Sequence, residues 1–259
     1  MTKLKQAIRF SKMNSRITPR LAPWLVSNGE VRITSVKVHD KVVSILRPEV
    51  VKSRAGAFHP SQLYSCERAQ VYAYHDAPAA KQYDPTLQNL FNDGHFRHLR
   101  WQIMLMEAGI LTDIEVPASV PELRLSGSID GVNSDERWLF ELKGTSQFRT
   151  IQSRGVMPAH IQQIHAYLLA AKYDEAIVVY ECKSTQQWAE LVVKRDPTIT
   201  AEILNILEEL NRAIEEETLP ERLPECEVKS GPAFASCPYA SICHGCNHPD
   251  DIATLRQTA

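Results

Sequence analysis

Between residues 88 and 194 the hydrophobic pattern switches three times between helical and strand spacing, and this succession restricts the fold more than any other feature. Residues 88–108 carry Phe96, Leu99, Ile103 and Met106 at helical intervals, and Gly109 closes that helix. Three short strand patterns follow at 112–116, 123–132 and 137–144, separated by Pro or by Asn, Ser and Asp. A second helix is predicted over 158–172, then a nearly all-apolar strand at 176–181 and another strand at 189–194. Three strands at hairpin spacing, with a crossover helix to a fourth, imply an α/β fold: a mixed central sheet with flanking helices, in the order αβββαβ. A long helix over 200–217, with Ile203, Leu207, Leu210 and Ile214 on one face, follows this core.

The flanks differ in character. Residues 1–54 hold 12 basic and three acidic side chains, a charge of +9, against −11 for the rest. Such a basic stretch suits a polyanion such as nucleic acid, and it also fits a solvated surface of uneven charge. Alternation at 31–38 and the run at 42–46 predict a hairpin, and Pro60 or Ser61 starts a helix reaching about Tyr74. Residues 76–86 read as a linker. The acid-free first 29 residues share a transit peptide's composition, although Pro19 and Pro23 interrupt a long helix there. No apolar run approaches the roughly 18 residues that span a bilayer, and no apolar core of signal-peptide length opens the sequence. A cytoplasmic protein without membrane contact is expected.

Within the core, Asp130 falls near the end of the second predicted strand, and Glu141 and Lys143 fall on the third. Side chains alternate along a strand, so Glu141 and Lys143 project from one face, and antiparallel pairing brings Asp130 beside Glu141. Two carboxylates close together on apolar strands repel unless a hard divalent cation lies between them. Lys143 then stands where it can position a water or a phosphate oxygen. A Glu–Lys pair on a solvated sheet face has the same local sequence. On helix 158–172, Gln163 and Tyr167 lie about 40° apart on a polar edge beside the sheet-facing stripe. His95 and His98 share a face of the preceding helix.

Of the six cysteines, Cys237, Cys243 and Cys246 form C-x₅-C-x₂-C; Cys226 precedes them, Cys66 lies far upstream and Cys182 ends an apolar strand. Close spacing in a non-secreted chain points to a soft metal or an iron–sulfur cluster, and a cluster needs four thiolates. A zinc site recruiting His244 or His248 satisfies the same pattern. Cys182 reads as a buried small apolar residue.

Taken in order, G-x-x-x-H (Gly94 to His98), I-D-G around Asp130, F-E-L-K (140–143) and Q-x-x-x-Y (Gln163 to Tyr167) resemble the PD-(D/E)XK nuclease superfamily. The similarity is to its RecB-like iron–sulfur branch, which includes the CRISPR-associated protein four and the AddB nuclease domain, and it covers about residues 58 to 246. It implies a restriction-endonuclease-like core in which His98, Asp130, Glu141 and the Leu142 carbonyl hold Mg²⁺ or Mn²⁺. In that scheme Lys143 is the catalytic lysine, and Gln163 and Tyr167 orient it and the substrate phosphate. The branch also places one cysteine in an S-x-L-x-x-C element, here Ser61 to Cys66, and three after the core around C-P-Y-x-x-x-C, here Cys237 to Cys243. Where the family reads C-x-x-C-P-Y, the first position here is Phe234, so Cys246 or Cys226 must complete a 4Fe-4S cluster. Cys246 is favoured by its compact spacing from Cys243.

The implied organisation is a basic region with a hairpin at 1–57, a helical segment with the first cluster cysteine at 58–86, the nuclease core at 87–198, and a helix with a Cys-rich tail at 199–259. The implied function is a metal-dependent deoxyribonuclease, an exonuclease acting on DNA ends or single strands, in a repair, recombination, replication or CRISPR adaptation setting. A non-catalytic DNA-end-binding subunit and a zinc-stapled structural protein are the alternatives.

Overall fold

In the computed structural model, which describes residues 15–28, 30–46, 54–79, 85–229 and 231–256, the five strand patterns form one sheet. Strands β1 (Asp113–Val120), β2 (Leu125–Asn133), β3 (Trp138–Thr145), β4 (Glu175–Cys182) and β5 (Trp188–Lys194) lie side by side in sequence order. All neighbours are antiparallel except β3 and β4, which are parallel and joined by a crossover through helices α5 (Phe148–Arg154) and α6 (Pro158–Ala171). The mixed α/β sheet expected from the pattern is therefore present. Helix α5 was not anticipated: its seven residues are too short to show a helical period.

Alternation along β3 divides the core. Trp138, Phe140 and Leu142 pack with Trp101 and Leu105 of α4 (Pro85–Glu107), while Leu139 packs with Ile164 and Leu168 of α6 on the other face. Helix α4 ends at Gly109, whose φ of 63° lets the Ile110 N–H bond back to the Leu105 carbonyl. Within α4, Phe96 is exposed, and Trp101, Met104 and Leu105 take the core positions instead. Helix α7 (Pro197–Glu215) starts on Asp196, which accepts from the Thr198 N–H, and buries Ile203, Leu207 and Leu210 as its spacing predicts.

The amino-terminal region departs from expectation. Residues 36–46 are not strands of a hairpin but helix α2 (Val36–Leu46), which follows helix α1 (Thr18–Asn28). The β-branched residues that imitate strand alternation also place Val38, Val42 and Ile45 at helical spacing, and these pack on the core. An isolated hairpin is marginal, whereas a helix buries that stripe against α4. Pro23 forfeits one main-chain bond in α1 without ending it. The predicted helix from Pro60 is a short 3₁₀ turn (Pro60–Gln62) followed by α3 (Glu67–Tyr74). The linker expected at 76–86 is irregular over 76–79, and 80–84 lie outside the described residues. The tail holds α8 (Pro232–Ser236), α9 (Ala240–Cys243) and α10 (Pro249–Arg256), and among the described residues no helix is long and apolar enough to cross a membrane.

Core acids anchor both amino-terminal helices. Glu190 of β5 accepts from the N–H groups of Arg16, Ile17 and Thr18 at 2.6–3.0 Å and from the Ser15 and Thr18 hydroxyls. Glu107 does the same for Thr34 and Ser35. Burial works to raise the Glu190 pKa, but these donors outweigh it and hold the carboxyl below its usual range. Its stabilising effect is therefore complete above the unfolded-state pKa and disappears as pH falls through the folded one. Urea unfolding should show Glu190→Gln less stable than the parent by about 1–2 kcal/mol at pH 7, with the gap closing towards pH 3. A gap that stays constant with pH would remove the carboxylate from this role.

Candidate active site

Pairing between β2 and β3 stops at Gly131↔Phe140, just before the sequence reaches Asp130 and Glu141. From there the strands part, and the Asp130 carboxylate takes the place of strand backbone: its Oδ2 accepts the Leu142 N–H at 2.7 Å. Glu141 and Lys143 project together on the α6 side, with Lys143 Nζ 2.7 Å from Glu141 Oε1. Gln163 joins them, donating to Glu141 Oε1 at 3.0 Å and accepting from Lys143 Nζ at 2.8 Å. From the opposite side His98 of α4 places Nε2 3.3 Å from Asp130 Oδ2 and fixes Nδ1 on the Gly94 carbonyl at 2.8 Å. Tyr167 stands one turn from Gln163 and faces the same cleft. A side chain at position 127 would meet the Tyr167 ring at 3.0 Å, so Gly127 lets that ring approach β2.

The cleft encloses about 820 Å³ and is lined by Asp130, His98, Gln163 and Tyr167, with Arg54, His59 and His95 among its basic residues. Its two carboxylates lie beside one another and beside two cationic groups, and the charges of these neighbours act on one another. Burial raises the Glu141 carboxyl towards about 7, Asp130 adds to the rise, and Lys143 opposes it. Burial works against a charged His98, but Asp130 overcomes it and raises the imidazole to about 9. Burial likewise opposes a charged Lys143, whose pKa still rises because of Glu141 and Asp130. Tyr167 is pushed upward by burial and by Glu141, so it stays a neutral phenol. Behind the site His160 accepts from or donates to the Tyr180 hydroxyl at 2.6 Å, and burial with Lys143 lowers its pKa to about 4.

One atom in this network is unsatisfied. Glu141 Oε2 is buried without a hydrogen-bond partner, although its side chain is only 5% exposed. Two carboxylates, a carbonyl-bearing strand edge and an imidazole are the donor set of a hard divalent cation, so the residues present fit Mg²⁺ or Mn²⁺. Of the core residues singled out from sequence, His95, His98, Asp130, Gln163 and Tyr167 line the cleft, and Glu141 and Lys143 join them through Gln163. Two others were missed: Glu115 of β1 and Gln102 of α4, each lining the same cleft. Only the four-residue interval from His98 to Gln102 hinted at either.

Part of the basic amino-terminal segment is committed to ion pairs within the fold. Arg16 pairs with Glu175, Arg20 with Glu136 and Lys41 with Asp113, so much of the described charge holds the fold together. Arg54 alone of this set lines the cleft, while Lys3, Lys5, Arg9, Lys12, Arg47 and Lys52 lie outside the described residues.

The cysteines lie away from this cleft. Cys66, Cys226, Cys237 and Cys243 line one cavity of about 280 Å³, between α3 and the tail. Cys246, favoured by spacing, is buried without lining that cavity, and its carbonyl accepts from Arg68 at 2.7 Å. Burial raises the Cys66 and Cys226 thiols, and the neighbouring cysteines add to both shifts. All six cysteines are unpaired by disulfides. Among the described residues the only His, Cys, Asp or Glu trio with ligand atoms within 4.8 Å of one another is Glu217, His248 and Asp250, at the start of α10. There the Asp250 N–H donates to His248 Nδ1 at 3.2 Å, a local turn contact.

No protein-family model matches this sequence, and no curated protein matches it. Solved structures are similar to it. The alkaline exonuclease LHK-Exo from Laribacter hongkongensis, in complex with dAMP, is 18% identical over 63% of this chain and 90% of that one, with a TM-score of 0.49. The protein SSO0001 is 17% identical over 82% and 96%, with a TM-score of 0.47. A phage-related exonuclease from Haemophilus somnus 129PT is 10% identical over 62% and 96%, with a TM-score of 0.41. None of these likenesses reaches a TM-score of 0.5, and what this chain does rests on its own residues.

Proposed function

We propose that this protein is a divalent-cation-dependent deoxyribonuclease that hydrolyses phosphodiester bonds at DNA ends. The observation carrying this reading is the buried, unpartnered Glu141 Oε2 beside Asp130, at a gap between strands that opens into the cleft. An uncompensated carboxylate oxygen at that depth is costly, and a cation resolves it. Asp130, Glu141, the Leu142 carbonyl and His98 would hold Mg²⁺ or Mn²⁺; His98 must give up its Nε2 proton to do so. When bound, the cation supplies charge withdrawal from the phosphate and a lowered pKa for water.

The chain's own groups do the rest. Lys143, held by Glu141 and Gln163, orients the attacking water and a non-bridging phosphate oxygen. Tyr167, kept neutral, donates a hydrogen bond to the phosphate. A water oxygen bonds to phosphorus as the water gives up a proton to solvent, the bond from phosphorus to the leaving sugar oxygen breaks, and that oxygen takes up a proton from solvent. The parting of β2 and β3 matters because it admits the substrate to carboxylates that a continuous ladder would seal.

We further propose a structural 4Fe-4S cluster on Cys66, Cys226, Cys237 and Cys243, with Cys226 in the position that spacing gave to Cys246. The shared cavity supports this set. A zinc ion held at about 2.3 Å by the same thiolates is the competing occupant, and the metal content of the purified protein separates the two. A multi-iron cluster spans a wider cage.

Digestion of linear, end-blocked and circular DNA in Mg²⁺ or Mn²⁺ tests the main reading. Linear DNA should be degraded, circles should survive, and a chelator should abolish the reaction. Absence of cleavage with either ion overturns the assignment, and rapid cutting of circles overturns end dependence.

A further inference from the structure

From the contacts around Asp130 we infer that Gln102 and Glu115 are positioning residues for the cation site, holding Asp130 out of the sheet and in the strand gap. The inference rests on the nuclease reading above. Gln102 is 1% exposed and lies one helical turn from His98, so the same face of α4 presents both side chains to β2. His98 meets the Asp130 side chain, and Gln102 Nε2 donates to the Asp130 main-chain carbonyl at 2.9 Å. That amide also donates to Glu115 Oε1 at 2.8 Å. Glu115 Oε2 accepts from the Ser128 hydroxyl at 2.8 Å, which ties the other end of the clamp to β2.

The backbone shows why the clamp is needed. Pairing of β1 with β2 is regular at Ile114↔Gly131 and at Val116↔Ile129, and the level between them is that of Glu115 and Asp130. Here Glu115 has a φ of 48°, a left-handed conformation uncommon for a side chain other than glycine in mid-strand. Facing reverses at this step: Ile114 packs in the α4-side core, while Val116 and Ala118 belong to the α6-side core. A regular strand would continue the alternation and keep the Asp130 carbonyl in the ladder. The strained step instead brings Glu115 and Asp130 to the cleft together, and such a conformation persists only where surrounding contacts enforce it. Gln102 is the enforcing contact, since its two N–H bonds fix a carboxylate on β1 and a carbonyl on β2 at once. Asp130 is consequently held by three contacts on two of its atoms before any cation arrives: Gln102 on the carbonyl oxygen, and His98 and the Leu142 N–H on Oδ2.

The test measures Mn²⁺ affinity of the whole protein by electron paramagnetic resonance, alongside DNA cleavage and thermal unfolding. Gln102→Leu, similar in shape and unable to donate, should weaken Mn²⁺ binding about 10–100-fold and lower kcat with little change in KM for DNA. Glu115→Ala should do likewise, and the conservative Glu115→Gln, still able to accept from Gln102, should recover most of the loss. Should Gln102→Leu fail to fold, the Glu115 pair carries the comparison, because that side chain faces the cleft. Mn²⁺ affinity equal to the parent's in folded Gln102→Leu or Glu115→Ala overturns the inference while leaving the nuclease reading intact. Glu115→Gln as impaired as Glu115→Ala overturns it too, by making the negative charge and not the hydrogen bond the active feature. A parent protein that neither binds Mn²⁺ nor cleaves DNA overturns the nuclease reading first, and this inference with it.

Discussion

Replacing Asp130 with alanine leaves a folded protein whose Mg²⁺- or Mn²⁺-dependent DNA cleavage is lower by about a thousandfold or more. The magnitude follows from where the carboxylate stands. It is the one acid that touches β3 through the Leu142 N–H and α4 through His98, so its loss removes a cation ligand and the alignment of two others. Folding survives because the deletion has compensating effects. One N–H and one imidazole lose a partner, but Glu141, whose carboxyl is raised by burial and by Asp130, loses a repelling neighbour. Circular dichroism should therefore report a native spectrum, with a melting temperature close to the parent's. Cleavage within tenfold of the parent rate would remove Asp130 from the reaction.

The second large effect concerns the cysteine cavity. Protein isolated anaerobically with iron available should be brown, and Cys226→Ser or Cys66→Ser should lose the colour, the bound iron and about 2–5 kcal/mol of stability. Cys246→Ser should keep all three. The cost arises from topology: Cys66 precedes α3, whereas its partners lie beyond α7, so a cluster closes a loop around the whole sheet. Without it the tail rests on Arg68 contacts to the Pro220 and Cys246 carbonyls and on the small cluster of Tyr72, Ala77 and Ile252. Iron retained in Cys226→Ser but lost in Cys246→Ser would restore the assignment that spacing favours. A colourless, iron-free parent would remove the cluster altogether.

A second buried charge network shows what packing adds beyond the cleft. Glu181 of β4 accepts from Arg97, Arg100 and the Trp101 indole, three contacts from one face of α4 onto one carboxylate that is 1% exposed. Burying a carboxylate at that depth is tolerable only with such partners. Because α4 is clamped here, it can deliver His98 and Gln102 to β2 at fixed height.

Local periodicity carried the strands, α4, α6 and α7, because each buries one face and that face must recur at the element's own repeat. It also carried the common face of Glu141 and Lys143, since strand alternation is a consequence of backbone geometry alone, whereas the parting of β2 and β3 at Asp130 was not legible in it. The amino-terminal helices were illegible for the opposite reason: Val36, Val38, Val42 and Val43 fit either period, and only contact with α4 and the capping carboxylates of Glu107 and Glu190 chose the helix. That Cys226 lines the cavity of Cys66, Cys237 and Cys243, and Cys246 does not, was likewise a matter of three-dimensional proximity, because Cys226 is eleven residues from Cys237 in sequence. Glu115 and Gln102 belong to this class as well. What joins them to Asp130 is a strained step between paired strands, and neither the strain nor the shared amide has a local sequence pattern, since both arise from how α4 lies across the sheet.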